Sequence, residues 1–165
     1  IGADVLGRCA SLRRVVIGWL PALASIGANA LRQCDRLESI TVAACPKLAI
    51  VHSGFGADCP HLRTADLQGF GNGTLQVIED RFLFDSVSLR ELTIASAGVA
   101  SRLRVGNYFL SGASVLTSVD FRTLAPALVS LGQFALSGCP LLTDILWSEN
   151  EPSSEQLPSL EEVGR

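Results

Sequence analysis

Apolar residues return along this chain in one fixed phrase. From Ile1, Ile26, Val51, Ile78, Val105 and Leu131, each stretch reads an aliphatic residue, usually Gly, an apolar pair, often Cys, and then L-x-x-h-x-h, where h is apolar. IGADVLGRCASLRRVVI, IGANALRQCDRLESITV and LGQFALSGCPLLTDILW show it most clearly, and the starts are 25, 25, 27, 27 and 26 residues apart. Four columns run through the repeats: Ile1, Ile26, Val51, Ile78, Val105, Leu131; then Leu12, Leu37, Leu62, Leu89, Leu116, Leu142; then Val15, Ile40, Ala65, Leu92, Val119, Ile145; then Ile17, Val42, Leu67, Ile94, Phe121, Trp147. All 24 positions are apolar in a chain that is 48% apolar. Chance gives this on the order of 10⁻⁸ of the time, so the period is a property of the fold: a solenoid whose coils touch only their neighbours.

The closing h-x-h alternation has the period of a strand with one buried face. It predicts one short strand per coil, over 13–18, 38–43, 63–68, 90–95, 117–122 and 143–148, stacked into a parallel sheet at a spacing of about 4.8 Å. ADVLGRC, ANALRQC, EDRFLFDS, GNYFLSGA and GQFALSGC form the opposite wall. They are too short for a full helix and predict a single helical or 3₁₀ turn. Gly2, Gly27, Gly106 and Gly132 follow the first aliphatic residue, where the chain bends. His52 and Glu79 replace Gly there, so a positive φ is not obligatory in every coil.

The pattern I-G-x-x-h-h-x-x-C-x-x-L-x-x-I-x-h resembles the BspA-like class of leucine-rich repeats, from Ile1 to about Trp147. The chain departs from it in several places. Leu6, Leu31, Leu83, Leu110 and Leu136, and Gly56, stand where the class has an aromatic residue, with Phe55, Phe82 and Phe109 one place earlier. Ser86 and Ala113 break the Cys column, and the repeats run a few residues longer. The resemblance implies an α/β solenoid: a leucine-rich repeat arc with the parallel sheet on its concave side and short helical or 3₁₀ turns on its convex side. It also implies binding of other macromolecules and no catalytic residue.

Composition changes this picture little. The length suits a single repeat domain over 1–165, and the 18% charged content is low, as a stacked core demands. No apolar run reaches the ~18 residues of a membrane span. The net charge of −3 and the absence of a basic stripe argue against nucleic acid as partner. Ile1 at an anchor position, and Val163-Gly164 reading as a seventh anchor, create the expectation of further repeats of the same chain at both ends. Residues 148–159, SENEPSSEQLPS, read as a polar loop or linker.

Cys9, Cys34, Cys59 and Cys139 share one column with Ser86 and Ala113, which reads as a small buried site. Equivalent side chains point the same way, which disfavours disulfides, and metal-ligand spacing is absent, so no metal or cofactor is expected. The odd count of five cysteines leans towards a reducing intracellular compartment, with an extracellular surface as the alternative. GFGNG at 69–73 lacks the Lys-Ser/Thr of a phosphate loop and reads as a plain loop. Asn72-Gly73-Thr74 matches a glycosylation sequon. His52 and His61 have no nucleophile arrangement, and Phe121 and Trp147 read as core neighbours. Trp19, just past the first strand, is a candidate exposed anchor.

Function is left to the outward face of the sheet. Its residues are Arg14, Val16 and Gly18; Ser39, Thr41 and Ala43; Thr64, Asp66 and Gln68; Glu91, Thr93 and Ala95; Ser118, Asp120 and Arg122; Asp144, Leu146 and Ser148. Arg14, Thr41, Asp66, Gln68, Glu91, Thr93, Asp120, Arg122 and Asp144 are the candidate binding residues. Hydroxyls and four acids predict a non-enzymatic protein-binding module or scaffold subunit whose partner carries basic or hydroxyl-rich groups. The alternatives are an extracellular adhesin and the substrate-recognition arm of an enzyme whose catalytic domain lies outside this chain.

Overall fold

The computed structural model describes residues 1–71, 73–94, 102–122, 124 and 127–146. It is a parallel β-solenoid. Each coil contributes to two sheets, because the chain is extended at both the h-x-h end and the first aliphatic position. The first sheet takes β1 (Arg14–Trp19), β3 (Ser39–Ala44), β5 (Thr64–Leu67) and β7 (Glu91–Ile94), in that order. β9 (Ser118–Asp120) and β11 (Asp144–Leu146) pair with each other and abut β7 on the same wall. The second sheet takes β2 (Ser25–Ile26), β4 (Ile50–Val51), β6 (Val77–Ile78), β8 (Leu103–Val105) and β10 (Leu128–Leu131). Every pairing is parallel, and equivalent repeat positions pair: Val15 with Ile40, Ile40 with Ala65, Ala65 with Leu92. The first-sheet strands start one residue after those expected and end within two residues of them, the last expected strand running beyond the described residues; the second sheet is an addition to the sequence reading.

The four apolar columns meet between the sheets. Leu37, Leu62, Leu89 and Leu116 are completely buried, as are Ile40, Val51, Leu67 and Ile78. The Phe residues standing one place before the expected aromatic position form a ladder: Phe55 on Phe82 at 5.5 Å and Phe82 on Phe109 at 5.3 Å between ring centroids, nearly parallel. Phe70 meets Phe55 and Phe82 edge-on. Phe121 leans on Phe109 at 6.1 Å; Trp147, its expected neighbour, lies outside the described residues.

The wall opposite the first sheet differs from the expected helical turn. Among the described residues there is no α-helix, and 3₁₀ geometry is confined to Ala127. Instead, three alternate residues per coil hold a positive φ: Asp4, Leu6, Arg8; Asn29, Leu31, Gln33; Gly54, Gly56, Asp58; Arg81, Leu83, Asp85; Tyr108, Leu110, Gly112; Phe134, Leu136, Gly138. A left-handed conformation costs an ordinary L-residue about 1–2 kcal/mol. The return is hydrogen bonding along the stack. Between neighbouring coils the first and third of a trio donate N–H to the next coil (Asn29 to Ser53 O, Gln33 to Ala57 O), and the second donates to the preceding coil (Leu31 to Val5 O), at 2.7–3.0 Å. Leu6 of the first trio and Phe134 and Gly138 of the last have no neighbouring coil on that side among the described residues. A single helical turn would satisfy few backbone groups within so short a segment, whereas alternation satisfies them between coils.

The glycines after the first aliphatic residue have a packing cause. None of Gly2, Gly27, Gly106 or Gly132 has a positive φ. A Cβ on Gly27 would run into the Gly2 backbone, and one on Gly132 into the Gly106 backbone; Gly2 has open space around it.

The cysteine column is explained by hydrogen bonding as well as size. Cys34 Sγ donates to the Leu6 carbonyl at 3.0 Å, Cys59 to Leu31 at 3.1 Å, Cys139 to Leu110 at 3.4 Å, and Ser86 Oγ to Gly56 at 3.3 Å. Cys and Ser exchange here because both reach a carbonyl of the preceding coil. All five thiols are free. Burial pushes the Cys59 thiol up to about 12, so it is inert as a nucleophile at neutral pH.

Candidate functional site

Pairing in register turns the outward residues of the first sheet into straight rows. One row runs Arg14, Ser39, Thr64, Glu91 by strand pairing, and Ser118 and Asp144, paired with each other in a separate two-stranded sheet beside β7, hold the same repeat position. The next runs Val16, Thr41, Asp66, Thr93 by pairing, with Asp120 and Leu146 paired at the same repeat position in the two-stranded sheet. Gln68 follows Asp66 at the strand end, and its N–H donates to Asp66 Oδ1 at 3.3 Å. All these side chains are exposed or half-buried. Period-2 alternation places them there: Val15, Ile40 and Ala65, the residues between, fill the core.

Electrostatically the rows are uneven. Asp120 is held by Arg122, whose Nη2 donates to Oδ2 at 2.6 Å and Nε to Oδ1 at 3.0 Å. These Arg122 bonds, partly opposed by burial, hold the Asp120 carboxyl below the usual carboxylate range. Of the four acids expected along the face, Asp120 therefore carries its own counter-charge. Asp144 accepts a bond from the Thr143 hydroxyl at 2.8 Å. Among the described residues, the side chains of Arg14 and Glu91 make no hydrogen bond or ion pair. Trp19 is 67% exposed, at the end of β1, with Val16 exposed on the same strand. It is an exposed aromatic at one end of the rows. Ala95, Ser148, Asn72 and the 148–159 stretch lie outside the described residues.

Two further clusters lie on other walls. On the outer wall, Phe84 meets Tyr108 edge-on at 5.9 Å, Tyr108 stacks on Phe134 at 5.1 Å, and the Arg81 guanidinium sits 5.7 Å over Phe84. The signal was present: Tyr108 and Phe134 hold the same position in successive repeats. Nearer the second sheet, Glu79 binds His52 Nδ1 through Oε1 at 3.0 Å and the Ser53 hydroxyl through Oε2 at 3.0 Å. Burial pushes the Glu79 carboxyl up, but the bonds from Ser53 and His52 outweigh it and hold it low. The Ser53 hydroxyl faces Glu79 rather than the imidazole, so this is a clasp between coils and lacks the order of a nucleophile triad. His61 Nδ1 lies 2.6 Å from the Asp35 carbonyl oxygen, a structural contact. A shallow recess of about 510 Å³ is lined by Arg8, Gln33, Asp58 and Asp85, among others. Another, of about 480 Å³, is lined in part by Glu79, Asp80, Arg104 and Asn107.

Comparison with protein-family models, with curated proteins and with solved structures finds no match in any of the three. Nor, among the described residues, is any helix long and apolar enough to cross a membrane. What the face offers chemically is a rigid ladder of small hydroxyl and carboxylate side chains at strand spacing. It supplies hydrogen-bond donors and acceptors.

Proposed function

We propose that this chain is a non-catalytic protein-protein interaction module, or scaffold subunit, that engages a protein partner through the outward rows of its first sheet. The observation that carries the reading is a division of labour within the strands. Alternate residues build the core, and those between, Arg14, Thr41, Asp66, Glu91 and Thr93 among them, are exposed or half-buried on the opposite side. A sheet whose backbone is fixed by neighbours on both sides is pre-organised, so docking loses little conformational entropy. The BspA-like leucine-rich repeat reading rests on the sequence phrase. The two-sheet cross-section supports the solenoid within it and differs in its outer wall.

The test is capture from a cell extract by wild type and by Asp66→Lys/Glu91→Lys, with folding of both checked by circular dichroism. A partner held by wild type and lost by the folded variant supports the reading. A partner held equally by both moves the interface to another wall and overturns it.

A further inference from the structure

The outward rows of the first sheet are self-complementary, and from this we infer that the face engages a second copy of this chain, the two stacks running in opposite directions. The inference rests on the reading that this face is an interaction surface, and names its occupant. Consider a two-fold axis lying between two such faces and parallel to the strands. It sets the first coil against the sixth, the second against the fifth and the third against the fourth, while each row keeps facing itself. The first row then brings Arg14 to Asp144, Ser39 to Ser118 and Thr64 to Glu91 of the other copy. The second brings Val16 to Leu146, Thr41 to Asp120 and Asp66 to Thr93. Both apolar members of the rows meet each other. Arg14 meets an acid, while Arg122, at the strand end beside the second row, stays on Asp120 of its own chain. Every other carboxylate directly faces a hydroxyl.

The other face-to-face arrangement, with the axis along the stack, sets the first row against the second. It places Arg14 on Val16 and Asp144 on Leu146, burying charge against apolar surface, which is costly. The complementarity is thus specific to one orientation. The outer wall contributes too. It is bonded coil to coil just as the two sheets are. A wall of packed helices, each roughly 10 Å across, would force the sheet side to curl; among the described residues that source of curvature is absent. Two sheets pack face to face at about 10 Å with strands aligned to about 30°.

Size sets the expected strength. Six strands at about 4.8 Å and four residues at about 3.3 Å give roughly 400 Å² per copy. The total is below the roughly 1,200–2,000 Å² of stable complexes, so the association belongs to the weak class. Asp66 and Glu91 of both copies gather about the axis, which weakens it further. Dissociation constants on the order of 0.1–1 mM are expected.

Sedimentation equilibrium of the chain from about 10 µM to about 1 mM, a range that brackets that weak class, reads the dimer directly. Arg14→Asp and Asp144→Arg each set like charges opposite one another and are expected to weaken it at least five-fold. The double variant Arg14→Asp/Asp144→Arg restores the pair with its sign reversed and is expected to recover wild-type association. The two residues sit five coils apart, so recovery cannot arise within one chain, and circular dichroism of each variant excludes unfolding as the cause of a loss. A monomer throughout, or a dimer whose constant ignores the single variants, or a double variant no better than the singles, overturns the inference. If the chain is monomeric while a different protein is captured by wild type and lost by Asp66→Lys/Glu91→Lys, the face binds a foreign partner and only the self-association falls.

Discussion

The first sheet and the outer wall solve one problem in two ways. Each ties coils together by backbone hydrogen bonds, the sheet side along β1-β3-β5-β7 and again between β9 and β11, the outer wall from each coil to the next. The sheet does so with extended residues, so its side chains alternate between core and surface. The outer wall does so with φ alternating in sign. Its N–H groups point up and down the stack in turn, and residues such as Leu31, Leu83 and Leu110 hold a left-handed conformation with their side chains in the core. The lesson is that the outward side chains of the sheet are set apart from the backbone bonds that hold the stack, whereas the outer wall is constrained by its backbone.

The largest effect expected from breaking this frame comes where both walls share a core. Phe82→Ala removes a ring held between Phe55 and Phe109 and is expected to cost about 3–5 kcal/mol in urea unfolding. Phe134→Ala, on the outer wall and 51% exposed, is expected to cost under about 1 kcal/mol. Equal losses would show that the outer aromatic ladder carries as much of the fold as the inner one.

Next come the glycines that let coils approach. Gly27→Ala forces a methyl group into the backbone of the first coil and is expected to cost about 1–3 kcal/mol. Gly2→Ala, at the same repeat position with open space, is expected to be neutral or slightly stabilising in the same assay.

Glycine itself distinguishes the two walls by sign. At Gln33, with φ 56°, Gln33→Gly relieves left-handed strain and is expected to stabilise by about 0.5 kcal/mol. At Thr41, in a strand, Thr41→Gly is expected to destabilise by roughly 1 kcal/mol. A loss at both positions would mean that the positive φ of the outer wall carries no cost.

The smallest effect is electrostatic. The depressed carboxyl of Asp120 stabilises the fold above the unfolded aspartate range of about 3.9, and that contribution is lost as pH falls through the lowered native value. Both side chains are about half exposed, so Arg122→Gln is expected to cost under about 1 kcal/mol at neutral pH and to flatten the stability profile below about pH 4. An unchanged acid profile would remove the pair from the account of the face.

Much of the fold was legible because burial leaves a local trace. The Leu12-to-Leu142 column and the h-x-h strands follow from spacing alone, and Arg14, Thr41, Asp66, Glu91 and Asp144 land on one face for the same reason. Other features left a trace that does not say what it means. Phe55, Phe82 and Phe109 stand one place away from the expected aromatic position, and only the stacking distances show that they form the inner ladder. Asp120 read as one free acid among four until its bonds to Arg122 were seen. The alternating φ of the outer wall left only a partial trace: Gly54, Gly56, Gly112, Gly138, Asn29 and three aspartates accept a left-handed backbone readily, but Leu, Arg, Gln, Tyr and Phe share those positions and do not announce it.

The sequence by itself determined the period, the inward columns and the membership of the outward rows, because side-chain direction in a strand depends only on counting residues. The tertiary structure alone decided the second sheet, the hydrogen-bonded outer wall in place of helical turns, and the counter-charge on Asp120. The first two depend on backbone groups whose partners lie one coil away, some 25 residues along the chain, and no local pattern specifies such a partner. The third depends on how two neighbouring side chains turn towards each other at the end of a strand, which residue spacing leaves open.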